Sequence, residues 1–242
     1  MIWITRSEPG AGVLAEALQA SGFEPWCQPL IEIEPLRPFQ ARVARGQWAI
    51  ESAAAPDLVI ALSGHAVREY LASALVGRAG DAPHIAVGAG TAALLTDAGF
   101  EVTQPGEATS EGILAMPQLA VLTAQHKVWI LAGAGGRELV LQQLAEQAGC
   151  EVVKFELYRR RRAPLQELPV AAIGAVSIAS EGALRAFAEI WREAGGSVDV
   201  AILVPSERVA HSARAMGFEN VHNARGAGVE DVLAALQELD QV

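Results

Sequence analysis

Short, uninterrupted apolar runs alternate along this chain with longer stretches of helical period. "MIWIT" (1–5) reads as a strand, and Gly12 to Ala20 as a helix with Val13, Leu14 and Leu18 on one face. The same alternation recurs: "DLVIAL" (57–62) precedes "HAVREYLASAL", "HIAVG" (84–88) precedes "TAALLTDAG", and "KVWILA" precedes "RELVLQQLAEQAG". "AVSIAS" (175–180) leads to "ALRAFAEIWREAG", "AILVPS" (201–206) to "ERVAHSARAMG", and "GVEDVLAALQEL" closes the series. Short strands such as "EVT" (101–103) follow helices that end on glycine. Strands that are apolar throughout, rather than alternating, are buried on both faces. Joined through helices, they predict parallel α/β sheets covered on both sides.

The pattern also repeats. "WITRSEPGAG" from Trp3 resembles "WILAGAGGRE" from Trp129, and "ALSGHAVREYL" places Ser63 where "IASEGALRAFA" places Ser180. "GAGTAALLTDAGF" and "SERVAHSARAMGF" end on Gly99-Phe100 and Gly217-Phe218, and "TSEGILAMPQL" resembles "GVEDVLAALQEL". Blocks recurring in one order at nearly one spacing predict two similar α/β domains, each roughly 100–120 residues.

Composition narrows the class. The chain has 242 residues, 51% hydrophobic and 19% charged, with a formal net charge of −10. That suits a folded chain with a substantial core and argues against disorder. It also argues against binding nucleic acid or an anionic membrane through a global basic field. Cys27 and Cys150 lie in no CxxC and are expected as reduced and mostly buried thiols. The opening "MIWITRSEPG" lacks a long apolar run, so no signal peptide is expected, and Leu168 to Ser180 is too short to span a bilayer.

Neither glycine cluster is a good nucleotide fingerprint. "GAGGRE" has Glu138 where GxGxxG needs a small third residue, and it lacks the GKS/T end of a P-loop. "VGAGTAAL" fits better through Gly88, Gly90 and Ala93, but Gln104 and Pro105 stand where the ribose-binding acid would be. The more general signal is Ser, Thr or Gly at many strand C-ends just before a helix. Helix N-termini offer unpaired N–H groups and partial positive charge, so an acidic chain can still hold a polyanion. The five histidines show no metal spacing, and no GxSxG elbow is present. Ser63 and Ser180 read as helix caps before nucleophiles. The run "YRRRR" (158–162) is either a solvated linker or a basic hinge meeting an anionic substrate.

At these residues the chain resembles the uroporphyrinogen-III synthase family. "ITRSEP" with "QPLIEIEPL", "DLVIALSGHAV", "IAVGAGTAALLTDAGFEVTQPGEATSEGIL", "KVWILAGAGGRELV…ELYRR", "VSIASEGALRAF" and "VPSERVAHSARAMGF" match the family's blocks in order over nearly the whole chain. The resemblance implies two parallel-sheet domains of flavodoxin-like or Rossmann-like type, joined by two extended linkers. One domain would hold residues 1–35 with 164–242 and the other residues 42–157, with linkers near 36–41 and 158–163. It implies a cofactor-free, metal-free lyase that dehydrates and closes hydroxymethylbilane to uroporphyrinogen III, inverting the terminal pyrrole ring. Tyr158 matches the tyrosine expected to assist departure of the hydroxyl. Arg6, Ser63, Gly64, Thr91, Thr109, Ser110, Arg137 and Ser180 match substrate-binding positions. A cytoplasmic monomer is expected, with the upstream deaminase as a candidate partner. Departures from the family pattern are Ala132 where Arg is frequent, Val209 where some members have Thr, and Ser7 in "TRSEP". The alternatives are a non-enzymatic two-domain protein that binds a small anion and a nucleotide-dependent enzyme resting on "GAGTAA".

Overall fold

The computed structural model describes residues 1–43, 46–48, 54–136 and 138–239. The chain begins with β1 (Ile2–Ile4), α1 (Gly10–Ala20), β2 (Pro25–Cys27), β3 (Ile31–Val43) and β4 (Gly46–Trp48). It continues through β5 (Leu58–Ala61), α2 (Gly64–Leu71), α3 (Leu75–Ala79), β6 (His84–Ala86), α4 (Ala89–Asp97) and β7 (Val102–Thr103). Next come α5 (Ser110–Leu114), α6 (Pro117–Ala120), β8 (Lys127–Gly133), α7 (Leu139–Gln143) and β9 (Glu151–Arg162). The last part holds β10 (Ala175–Ser177), α8 (Glu181–Glu193), β11 (Ala201–Val204), α9 (Glu207–Ala215), β12 (Val221–Asn223) and α10 (Val229–Leu239).

Two compact units emerge. One comprises Met1–Glu32 with Arg161–Val242, and the other Ile33–Arg160. In the first, the strand order β12-β11-β10-β1-β2 is parallel throughout. Trp3 points to the face covered by Leu184, Phe187 and Trp191 of α8 and Val209 and Ala213 of α9. Ile2 and Ile4 point to the other face, under Leu14 and Leu18 of α1 and Val232 and Leu236 of α10. Successive strand residues face opposite layers, so a strand buried on both sides must be apolar at every position. Val13 was expected on the apolar face of α1 but is 57% exposed. The helix starts at Gly10, and Ala11, Leu14 and Leu18 form the inward stripe at spacings of three and four.

The second unit has strand order β4-β3-β9-β8-β5-β6-β7. One face is covered by Val67 and Tyr70 of α2, Leu75 of α3 and Leu95 of α4. The other is covered by Ile113 of α5, Leu119 of α6 and Val140 and Leu141 of α7. The helix expected over "RELVLQQLAEQAG" is short, because a π-type turn at Leu144–Ala148 follows α7 directly. Residues 36–41 and 158–163, read as linkers, fall largely within β3 and β9, which are hydrogen-bonded neighbours.

The repeats now have a topological meaning. The parallel order β7-β6-β5-β8-β9 of the second unit matches β12-β11-β10-β1-β2 of the first, strand for strand. Trp129 on β8 thus corresponds to Trp3 on β1, and Ser63 after β5 to Ser180 after β10. The chain's opening β1-α1-β2 fills the places that β8-α7-β9 fill in the other unit, so the two units are circular permutations of one arrangement. Gly99 and Gly217, which end the paired repeats, both adopt left-handed backbone, with φ of 90° and 92°. Glycine holds that conformation without a side-chain clash.

One buried polar group stands out in the second core. His84 is 1% exposed, its Nε2 lies 3.2 Å from the Tyr70 hydroxyl, and its Nδ1 has no hydrogen-bond partner. Burial pushes the imidazole down to about 4. Its folded value lies below the ordinary 6.5, so the unfolded chain takes up the proton first as pH falls. Stability is therefore expected to fall between pH 6.5 and about 4, by on the order of 2–3 kcal/mol, and this contribution should level off below that. Denaturant midpoints against pH, compared with His84→Asn, check this: the variant should lose that part of the slope.

Candidate functional site

The C-terminal ends of β5, β8 and β9 gather a compact polar cluster. In an open parallel sheet these ends carry the ligand crevice. Ser63 follows β5 with extended backbone and caps α2, its Oγ accepting the Ala66 N–H at 3.2 Å. The same Oγ lies 3.0 Å from the Tyr158 hydroxyl on β9, across 95 residues of sequence. A guanidinium Nη2 of Arg160 donates to that hydroxyl at 3.3 Å, with its carbon 5.7 Å from the ring centroid. The His65 ring stands 5.6 Å from the Tyr158 ring. Its imidazole is pushed below its ordinary value by burial first, then by Arg68 and Arg160. It is thereby held toward the neutral form.

Tyr158 can lie there because β8 ends in glycine. A register shift at the end of the β8–β9 pairing sets Gly133 opposite Tyr158. A β-carbon on Gly133 would come within 2.6 Å of the ring. The ring fills the space a side chain would occupy, and the Ala134 N–H donates to the Tyr158 carbonyl at 2.7 Å. Gly133→Ala is expected to push the ring aside, lowering turnover about tenfold and stability by about 1–3 kcal/mol. Unchanged turnover with the ring still seated would contradict this. Gly133, His65 and Arg160 were not among the residues expected from sequence. The glycine cluster was read there as a turn, and nothing in it shows what occupies the vacant space.

The other expected residues divide between the units. In the second, Gly64 opens α2, where a β-carbon would stand 3.1 Å from Leu94 of α4. Thr91 is buried in the first turn of α4, whose cap, Gly88, supplies no side-chain bond. Thr109 caps α5 by accepting the Gly112 N–H at 2.9 Å, and Ser110 is its first residue. In the first unit, Arg6 donates to the Ala227 carbonyl at 2.8 Å, and burial lowers its guanidinium below the ordinary value. Ser180 caps α8 through the Ala183 N–H at 3.2 Å. Arg137 lies outside the described residues.

Two further features limit the chemistry. Ala93, the third small position of "GAGTAA", is exposed, so it does not make the close helix–strand packing for which a dinucleotide fingerprint needs it. A groove of about 760 Å³ beside α5 is lined by Glu107 and Glu111 as well as Met116, and its carboxylates repel a polyanion. Among the described residues no group of three or more His, Cys, Asp or Glu is placed to hold a metal ion.

A family model described as Uroporphyrinogen-III synthase HemD matches residues 12–234. The chain belongs to the uroporphyrinogen-III synthase family. The uroporphyrinogen-III synthase of Salmonella typhimurium is 32% identical, over 98% of this chain and 99% of that protein. That of Escherichia coli is 30% identical, also over 98% and 99%. The fold likeness extends to more distant members of the uroporphyrinogen-III synthase family. A mutant enzyme from the extreme thermophile Thermus thermophilus has a TM-score of 0.62 at 19% identity, covering 100% of both chains. The Helicobacter pylori protein has a TM-score of 0.62 at 14% identity, covering 98% of both.

Proposed function

We propose that this chain converts hydroxymethylbilane to uroporphyrinogen III, with Tyr158 assisting loss of the hydroxyl. Family membership over residues 12–234 supports the reaction. The observation that carries the role of Tyr158 is the hydroxyl held between Ser63 and Arg160 at the C-terminal edge of a parallel sheet.

The chemistry needs little more than a proton in the right place. The pyrrole nitrogen lone pair expels the hydroxyl, breaking the carbon–oxygen bond and leaving an azafulvenium. The phenol proton joins the departing oxygen to give water. The substituted carbon of the terminal pyrrole then attacks the methylene, forming a spiro centre. Its older bridge bond breaks and re-forms at the free carbon of the same ring, which inverts that ring. Loss of the proton from this carbon restores the pyrrole and the phenol. The balance is one carbon–oxygen bond broken, one new ring-closing carbon–carbon bond and one water released. The protein's larger task is to hold the reactive ends folded together so that the inverted product outruns spontaneous closure.

Backbone donors suit the substrate's carboxylates. The first turns of α2 and α4 stand at Ser63–Gly64 and Gly88–Thr91, where a helix N-terminus favours anions, and Thr109 and Ser110 are kept as proposed contacts through their hydroxyls. Beside Gly90, where a β-carbon would meet nothing within 4 Å, a ligand group has room to approach. Arg6, Arg137 and Ser180 are retained as further proposed contacts. No cofactor enters this scheme. No helix among the described residues is long and apolar enough to cross a membrane. We further infer a cytoplasmic monomer that receives its unstable substrate from the upstream deaminase.

The competing reading, a protein that binds a small anion without turnover, is separated by stoichiometry. Hydroxymethylbilane consumed in many-fold excess over protein supports the enzyme. Capture of one equivalent, with the remainder closing at the uncatalysed rate, supports the binder.

A further inference from the structure

We propose that Arg160 is a positioning residue for the reaction, aiming the Tyr158 hydroxyl and stabilising the negative charge left on it when its proton departs. This rests on the reading of Tyr158 as the proton donor. Tyr158 and Arg160 are two residues apart on β9, so they share a face of the strand. That spacing brings Nη2 to 3.3 Å from the phenol oxygen. A guanidinium only donates, so at this contact the phenol oxygen accepts. The phenol proton is then directed elsewhere, to Ser63 Oγ at 3.0 Å or to a substrate oxygen that takes its place. Ser63 Oγ already accepts the Ala66 N–H, which fixes the serine in turn.

The neighbouring arginines are engaged differently. Arg159 makes two bonds to Glu34, at 3.0 and 2.7 Å, and Arg162 lies 3.8 Å from Glu193. Arg160 reaches Tyr158, and its guanidinium stays permanently charged, as a partner for a transient phenolate must. The run "RRRR" is thus not a uniform solvated stretch. Alternation along the strand turns Arg159 toward Glu34 and Arg160 toward Tyr158.

The test is steady-state formation of isomer III by Arg160→Gln, Arg160→Lys, Tyr158→Phe and the double variant Tyr158→Phe/Arg160→Gln. The glutamine variant should lose about tenfold in kcat, the size expected for a hydrogen bond to a charged group, with KM little changed. Lysine should restore part of that loss, since it keeps the charge. In the Tyr158→Phe background the glutamine substitution should cost nothing further. A raised KM with unchanged kcat would overturn the proposal and assign Arg160 to substrate carboxylates. An equal further loss without the phenol would also overturn it, placing the effect outside Tyr158. If Tyr158→Phe turns over normally, the underlying reading fails. If Tyr158→Phe is slow while Arg160→Gln is normal, the role of Arg160 alone fails. Arg160 is exposed, so its substitution should leave folding intact, which thermal midpoints verify.

Discussion

Tyr158→Phe is expected to slow formation of uroporphyrinogen III about 100-fold, near the lower end of what a positioned proton donor contributes. The ring itself should stay in place. It is 2% exposed, packed in the core of the second unit and seated over Gly133. What disappears is one oxygen, with its contacts to Ser63 and Arg160. Ser63 keeps its bond to the Ala66 N–H, so the cap of α2 survives. Stability should therefore drop by only about 1 kcal/mol. The split between a large kinetic and a small thermodynamic effect is the signature to look for. Denaturant unfolding and isomer III formation, measured on the same preparation, report both. A large stability loss with proportionate activity loss would make the tyrosine a packing residue instead.

The second large effect lies below the site. Lys154 and Glu156 are paired at 3.2 Å, with side chains only 1% and 2% exposed. Both sit on β9 in register with Ile130 and Ala132, members of the apolar cluster beneath α5 and α7. Charges withdrawn from water in this way are tolerated together but not singly. Lys154→Met removes the cation and is expected to destabilise the fold by about 3–5 kcal/mol. Chemical denaturation of the variant decides the matter, and a loss below about 1 kcal/mol would show that the lysine is not needed to balance the buried carboxylate.

Much of the fold could be read from the chain because its physics is local. The strands "IWI", "LVIA" and "AILV" are buried on both faces, so they announce themselves as continuous apolar runs. Ser63, Thr109 and Ser180 sit at helix starts and cap them through their own oxygens. The permuted relation between the units was not legible. Repeated blocks give the order of elements along the chain, while the order of strands across a sheet depends on which edge each new strand joins. Residues 36–41 and 158–163, which fall largely within β3 and β9, were read as extended linkers for a related reason. "PLRPFQARV" and "RRRR" are proline-containing or charged, so neither reads as a continuous apolar run.

The site follows the same division. Tyr158 and Ser63 were found through the family resemblance, because their meeting depends on β5, β8 and β9 lying side by side. Gly133 escaped notice because its contribution is empty space, and a missing side chain names no neighbour. Arg160 was visible only as one of four arginines, and alternation on a real strand was needed to separate it from Arg159.

The most direct test is the identity of the product. Hydroxymethylbilane generated in situ is offered to the purified chain, and the oxidised porphyrin isomers are separated by chromatography. The account predicts isomer III in large excess over isomer I, because only a protein that holds the terminal ring against spontaneous closure yields the inverted product. Isomer I alone, at the rate seen without the chain, would contradict it.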